Sequence, residues 1–433
     1  MAKKRTIGSA ILGNVVEYYD FGMYAVFAST IGKLFFPAHD AFIQLMLAFS
    51  VFAFGFLMRP LGGIIFGYIG DKLGRRISLN ISIVGMAGST LVIGILPSYA
   101  SIGMLAPIIL ILVRLIQGLC VGGEGTGSAV FILEHMANKR LSLAGSIVMA
   151  SNIFGTLLAN AVGIGISKLV GLDDFTWRFG FILGAVLGVV GVYFRSSNEE
   201  TPAFKEIKES KLISSNPFSE VINNKKYAIA SVIAVAAAAS SIAYLIRGYF
   251  GTFFAYSLGY SSEISLYYTS FTLLVLVLFL PIFGIVADKV GYGNFLFIGA
   301  LIVIVSAVPL FYAITAATSS VTVYSAVIWV GLLAAAMCAP AYPYAMKSFP
   351  PELRYSGVAL GWNVGNALFG GTTPFICTFL VSKFGVIAPA YYIMGTSSLF
   401  IAFNMFVSLK IWRIRKKNTK HKQGRMVNKI KAR

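Results

Sequence analysis

Apolar runs of about 20 residues recur along nearly the whole chain, broken by short polar segments, and no other feature narrows the possible folds so far. A run of that length crosses the roughly 30 Å hydrocarbon layer of a bilayer as a helix, the one single-segment structure that satisfies all of its own backbone hydrogen bonds there. Of the 433 residues, 57% are hydrophobic and only 12% charged, more apolar surface than a single soluble core buries. Lipid is therefore the expected solvent, and a soluble enzyme is excluded. The 44 glycines fit the same picture, because small residues let membrane helices approach closely. The expected fold is all-α, with twelve transmembrane helices in two six-helix bundles.

The net charge of +19 raises nucleic acid as a partner, and the positions of the 35 lysines and arginines answer it. Most fall in alternate loops and after Lys410, on the side that would hold both termini, so the excess is a positive-inside bias that makes both ends cytoplasmic. No nucleic-acid partner is expected; the basic tail is expected to meet anionic membrane lipid. The apolar stretch after Met1–Arg5 is too long for a signal-peptide core and reads as the first span. Cys120, Cys338 and Cys377 are scattered within apolar runs, without disulfide or metal-type spacing, so no metal is expected. No phosphate-binding Gly-rich loop followed by Lys-Ser or Lys-Thr is present, so neither ATP nor another cofactor is called for.

A polar stretch from about Ser196 to Lys226 divides the spans. The expected organisation is an N-terminal bundle over 1–195, a cytoplasmic linker over 196–226 with a short surface helix near Pro202–Ser210, a C-terminal bundle over 227–410 and a basic tail over 411–433. The bundles carry a repeat: Gly67, Asp71, Lys72 and Gly74 recur at identical spacing as Gly284, Asp288, Lys289 and Gly291, each set after the second span of its half. Glycine suits a tight turn there, and an aspartate beside Lys or Arg can make charge-assisted bonds to a neighbouring helix end. Asp71, Arg75, Arg76, Asp288 and Lys289 are thus candidates for a cytoplasmic gate.

Ionisable groups inside lipid are functional candidates by default, since a charge there must be compensated. Glu17 and Asp20 lie three apart on one helical face, near mid-membrane. Desolvation and a neighbouring negative charge both favour the protonated form of a carboxylate, so this pair can take up and release a proton, with Asp20 the leading candidate for the proton carrier and Glu17 the next. Arg59, also near mid-depth and followed by Pro60, suits two-pronged binding of a carboxylate. Arg247, followed by Gly248 and Gly251, would add a cation from the second half if it faces the cavity, in a seventh helix that is expected to be discontinuous. Tyr18, Tyr19, Gln117, Asn152, Asn160, Tyr244, Asn363 and Asn366 are neutral candidates for the cavity lining. Arg114 cannot lose its proton and acts only by pairing; near Asp20, it would exchange that carboxylate for substrate as the proton arrives. Glu124, ten residues further along, is a candidate for the same coupling or for bracing a helix contact.

Four stretches carry a resemblance to a known family: Gly13 to Phe21 (GNVVEYYDF), Met58 to Gly63 (MRPLGG), the loop from Gly67 to Arg76, and Arg114 to Gly118 (RLIQG) leading to Gly122-Gly123-Glu124, with Trp177-Arg178 in support. The chain resembles the major facilitator superfamily and, within it, the metabolite:proton symporters of organic acids, shikimate, proline and betaine. The resemblance implies alternating access between two bundles, a proton gradient as driving force, a small anionic or zwitterionic carboxylate-bearing substrate, and Arg114 as a coupling residue. Arg247 departs from the family pattern, which has an uncharged residue there. An uncoupled facilitator of the same fold and a membrane sensor on a carrier scaffold are the alternatives. The substrate's identity and the oligomeric state are not read from the sequence.

Overall fold

The computed structural model describes residues 2–38, 40–136, 140–169, 175–196, 199–211 and 216–407; the tail over 411–433 lies outside the described residues. Among the described residues there is no strand. The first half holds α1 (Ala2–Val26), α2 (Ala28–Phe35), α3 (Ala41–Lys72), α4 (Arg75–Ile95), the short α5 (Tyr99–Ile102), α6 (Leu105–His135), α7 (Leu141–Leu169) and α8 (Arg178–Ser196). Two short helices, α9 (Pro202–Glu209) and α10 (Pro217–Asn224), follow, the first where a surface helix is expected. Each starts with a side-chain cap and a proline in the first turn, the combination that sets a helix start. The second half holds α11 (Lys226–Tyr244), α12 (Phe250–Thr252), α13 (Ser262–Val290), α14 (Tyr292–Thr315), α15 (Ser320–Cys338), α16 (Ala341–Lys347), α17 (Arg354–Gly365), α18 (Thr373–Phe384) and α19 (Ala388–Val407).

Eleven helical segments among the described residues are long and apolar enough to cross a membrane. The α1 segment is not one of them, because Asn14, Glu17, Tyr18, Tyr19 and Asp20 interrupt its apolar run. The surface inverts that of a soluble protein: Leu57, Val189, Val305 and Phe375 are exposed, whereas Arg59, Arg75, Arg114 and Arg195 are fully buried. That is the arrangement lipid demands of its solute.

Glycines set the closest helix approach in the first half. A Cβ on Gly122 would meet the carbonyl oxygen of Arg59, and one on Gly118 that of Gly55, so α6 lies backbone to backbone against α3. The halves meet along two equivalent seams, α3 against α17 and α7 against α13. Here the repeated motif has a geometric meaning. Gly74 and Gly291 turn the chain at φ of +124° and +93°, which favours glycine. Gly67 and Gly284 admit the other half: a Cβ on either would stand 2.9 Å from the Cα of Ser356 or of Leu143.

Two helices widen locally. Segments Leu245–Tyr249 and Phe253–Ser257 continue α11 as π-helical turns, and Asn366–Gly370 does so after α17. Such turns redirect side chains and concentrate at functional sites, and the first contains Arg247.

Candidate functional site

Three groups of polar side chains stand out, spaced from one end of the molecule to its centre. The end carrying the loops after α3 and α13, and the start of α17, is called the basic end below.

At the basic end the two repeat aspartates do the same thing. Asp71 accepts hydrogen bonds from the backbone N–H of Tyr355 (3.2 Å) and Ser356 (2.8 Å), in the first turn of α17. Asp288 accepts from the N–H of Ser142 (2.7 Å) and Leu143 (3.0 Å), in the first turn of α7. First-turn N–H groups lack partners within their own helix and carry its positive dipole end, so a carboxylate there gains both hydrogen bonds and charge. Each half thus clamps a helix start of the other.

Arg75 reinforces the first clamp. It lies 3.2 Å from Asp71 and 3.3 Å from Glu134, and donates to the carbonyls of Gly70 and Pro351, both at 2.8 Å. Glu134 also takes Arg354 of the second half at 3.0 Å and the Thr201 hydroxyl at 2.7 Å. Arg76 is exposed and ties the linker instead, donating its backbone N–H to Glu200 (3.1 Å) and its guanidinium to the Ser196 carbonyl (2.7 Å). Lys289 is exposed. Tyr355 plugs the seam, its hydroxyl donating to the Gly123 carbonyl at 3.0 Å. The basic end is closed.

Deeper in the first half, Asp20 and Arg114 are joined through an amide. The Arg114 guanidinium donates to Gln117 Oε1 (2.7 Å), and Gln117 Nε2 donates to Asp20 Oδ2 (2.6 Å) and reaches Thr90 Oγ1 at 3.2 Å. Arg114 stacks on Tyr24, 4.1 Å from the ring centroid, and faces Phe21 at 4.8 Å. Arg59 also lies 4.8 Å from the Phe21 centroid and 4.1 Å from that of Phe56. It donates across the interface between the halves to the Tyr244 hydroxyl at 3.1 Å. Glu17 is buried, and neither of its oxygens has a hydrogen-bond partner. Glu124 accepts from the Ser82 hydroxyl at 2.6 Å and pairs with Arg195, which also donates to the carbonyl of Ala10 (3.0 Å).

Between the halves lies a cavity that, counted with the solvent space at its mouth, holds about 400 Å³ free of atoms. Tyr18 and Asn152 line it from the first half, and Arg247, Tyr342, Trp362 and Asn366 from the second. The Tyr342 and Trp362 rings lie 4.5 Å apart, tilted by 32°. Arg247 is half-buried, sits 3.8 Å over the Tyr244 ring and 5.4 Å from that of Tyr18, and has no hydrogen-bond partner on its Nε.

The structure brings Arg247 to the cavity and sets Arg59 against its wall residue's neighbour, Tyr244. It does not bring Tyr19, Gln117 or Asn363 there. The Tyr19 hydroxyl donates to the Gly180 carbonyl (2.9 Å) within the first half, Gln117 is taken up by Asp20 and Arg114, and Asn363 donates to the Gly122 carbonyl (2.7 Å) across the α17–α6 seam. Sequence reasoning singled out neither Glu134 nor Arg195, which lie at helix ends, nor Tyr342 and Trp362, which nothing local distinguishes from packing aromatics.

The chain matches the family model described as Major Facilitator Superfamily over residues 10–368. It is 34% identical to the proline/betaine transporter of Salmonella typhimurium over 409 residues, 90% of this chain and 80% of that protein. It is 33% identical to the glycine betaine/proline/ectoine/pipecolic acid transporter OusA of Dickeya dadantii over 423 residues, 93% of this chain and 83% of that one. Among solved structures it is similar to the proton:xylose symporter XylE with bound 6-bromo-6-deoxy-D-glucose, at a TM-score of 0.75 and 18% identity, covering 94% of this chain and 95% of that one. The last likeness is one of fold.

Proposed function

This chain belongs to the Major Facilitator Superfamily, and on that premise we propose that it is a proton-coupled symporter of a small zwitterionic, carboxylate-bearing solute. It is a membrane transporter and not an enzyme. The proposed topology adds α1 and α2 as a twelfth crossing, with residues 1–195 and 227–410 as the two bundles, 196–226 as their linker and both ends in the cytoplasm. The basic end then faces the cytoplasm of a cell whose cytoplasmic membrane holds the carrier.

The observation that carries the substrate reading is a charge imbalance at the cavity. Among the described residues the fully buried Arg59, Arg75, Arg114 and Arg195 are matched in number by the buried carboxylates Glu17, Asp20, Asp71 and Glu124. Arg247 is left over, and it lines the cavity with its Nε unbonded. An excess cation in a low-dielectric site favours an anionic group, and a guanidinium binds a carboxylate through two parallel hydrogen bonds. The paired rings of Tyr342 and Trp362 offer the complementary surface, a π-face for a cationic nitrogen. Proline and betaines, named for the two curated relatives, carry both charges on one small frame.

The Asp20 cluster supports proton coupling. As a carboxylate, Asp20 accepts from Gln117, which in turn holds Arg114. Protonation removes the charge that fixes this arrangement and leaves Arg114 uncompensated, a state that a substrate carboxylate nearby relieves. Substrate spans residues of both halves, so binding draws them together at the centre while the Asp71 and Asp288 clamps release the basic end.

Uptake of a panel of zwitterions and organic acids into proteoliposomes, with and without an imposed inward proton gradient, tests the proposal. Gradient-driven accumulation of a zwitterion supports it. Equilibration that ignores the gradient refutes the coupling, and preference for a dicarboxylate over any zwitterion refutes the substrate class.

A further inference from the structure

A second, smaller cavity lies inside the first half, lined by α1, α4, α6 and α8, and Glu17, Asp20 and Glu124 all border it with Thr90. It shares no lining residue with the central cavity. Its carboxylates descend toward the basic end, because α1 runs away from that end and α6 runs toward it. Asp20 is level with Gln117, to which it is hydrogen-bonded. Glu17 is one turn lower on α1, about 4.5 Å, and Glu124 lies roughly 10 Å below Gln117 on α6, at about 1.5 Å per residue. Below them Arg195, at the last turn of α8, pairs with Glu124 and donates to the carbonyls of Ser9 and Ala10.

Glu17 distinguishes this cluster from a set of structural ion pairs. It is 2% exposed, borders the cavity, and has no hydrogen-bond partner on either oxygen. The charged groups facing it are Glu124 from α6, Arg59 from α3, Arg195 from α8 and Arg247 from the π-turn after α11, with Cys120, Tyr18 and Tyr342 as weaker titratable neighbours. Glu124 claims Arg195 by direct pairing, and Arg59 spends its hydrogen bond on Tyr244. An unpartnered buried carboxylate is far from its lowest free energy as an anion and is free to hold and hand on a proton.

We infer that Glu17 and Glu124 form a second proton site that takes the proton from Asp20 and delivers it to the basic end, entirely within the first half and apart from the substrate. The inference rests on the symport reading above. The proton leaves the Asp20 carboxyl, crosses the small cavity on admitted water and binds Glu17. It passes to Glu124, whose neutralisation frees Arg195. Loss of the proton to solvent restores the Glu124 carboxylate and its pair with Arg195. The proton and the substrate then take different routes, coupled through Arg114, Gln117 and Arg59 and through Arg247, which faces Glu17 from the substrate's cavity.

The test uses the full-length carrier in proteoliposomes containing a pH-sensitive dye, with proline and glycine betaine as probe substrates. Glu17→Gln breaks no hydrogen bond, so it is expected to keep the wild-type melting temperature while substrate-evoked proton uptake falls at least tenfold. Glu124→Asp is expected to keep proton uptake with a displaced pH profile, and Glu124→Gln to lose it. Proton uptake by Glu17→Gln within twofold of wild type, or a Glu124→Asp profile that overlays the wild type, overturns the inference. If Glu124→Gln does not fold, the other two variants still decide. Failure of the symport reading itself is distinguishable, because the wild type would then move substrate without protons.

Discussion

Replacing Asp71 with alanine should open the basic end. The carboxylate accepts two backbone N–H bonds from the first turn of α17 and is fully buried beside Arg75. Hydrogen bonds to a charged group contribute about 1.5–3 kcal/mol each, and a favourably placed charge at a helix terminus up to about 2 kcal/mol. When the basic end opens, water takes over much of both terms, so the net bias toward closure from one clamp is about 3 kcal/mol. That corresponds to a shift of about 150-fold in the ratio of closed to open forms. Spin labels at Ile77→Cys and Asn294→Cys, at the starts of α4 and α14, report the gap between the halves. The native cysteines are buried and do not compete for label in the folded protein. Electron–electron distance measurements should show a single short population in the otherwise unchanged protein and a dominant long one in Asp71→Ala. Asp288→Ala should shift the balance the same way, because its geometry at α7 repeats that of Asp71 at α17. Distance distributions that stay the same in both variants would refute the clamp, leaving the aspartates as passive helix caps.

Arg247→Lys keeps the charge but loses the two-pronged geometry, and should raise the KM for uptake at least tenfold with a smaller change in maximal rate. Asp20→Asn should abolish gradient-driven accumulation, measured as the ratio of internal to external substrate at steady state, since an amide cannot cycle a proton. Gly118→Ala places a methyl group against the carbonyl of Gly55 where α6 and α3 touch, and should destabilise the protein by about 1–3 kcal/mol, read as a lower melting temperature in detergent.

The sequence revealed the span pattern, the repeat and most of the buried charges, because each is a local property of the chain. Their partners were not legible. Asp71 and Tyr355 are 284 positions apart, and Asp288 and Ser142 are 146 apart, so nothing near either aspartate announces the helix start it holds. Register hid more. Tyr18 and Tyr19 are adjacent in sequence but about 100° apart around a helix of 3.6 residues per turn, so one lines the cavity and the other bonds Gly180 within the first half. The same limit applies to Gln117, whose amide serves Asp20 and Arg114 rather than substrate. Arg195 stands at a helix end, where a basic residue carries no local mark of its partner, and only the fold brings it back onto Glu124.

The placement of Phe21 makes the proposed coupling physically economical. Arg59 and Arg114 each stand 4.8 Å from its ring centroid, so the two guanidiniums are no more than about 10 Å apart. Their mutual repulsion at an effective dielectric of about 20 is then on the order of 2 kcal/mol. Asp20, bridged to Arg114 through Gln117, offsets that repulsion while it is ionised. Protonation removes the offset, and Arg59 is the cation tied by its hydrogen bond with Tyr244 to the second half. A carboxylate arriving in the cavity beside Arg247, whose guanidinium lies over Tyr244, restores the balance from the side of the second half. Proton and substrate therefore need not touch: both act on the same pair of arginines, the proton by cancelling the Asp20 charge that offsets their repulsion and the substrate carboxylate by restoring that offset, so a protonated carrier without substrate is left electrostatically unsatisfied.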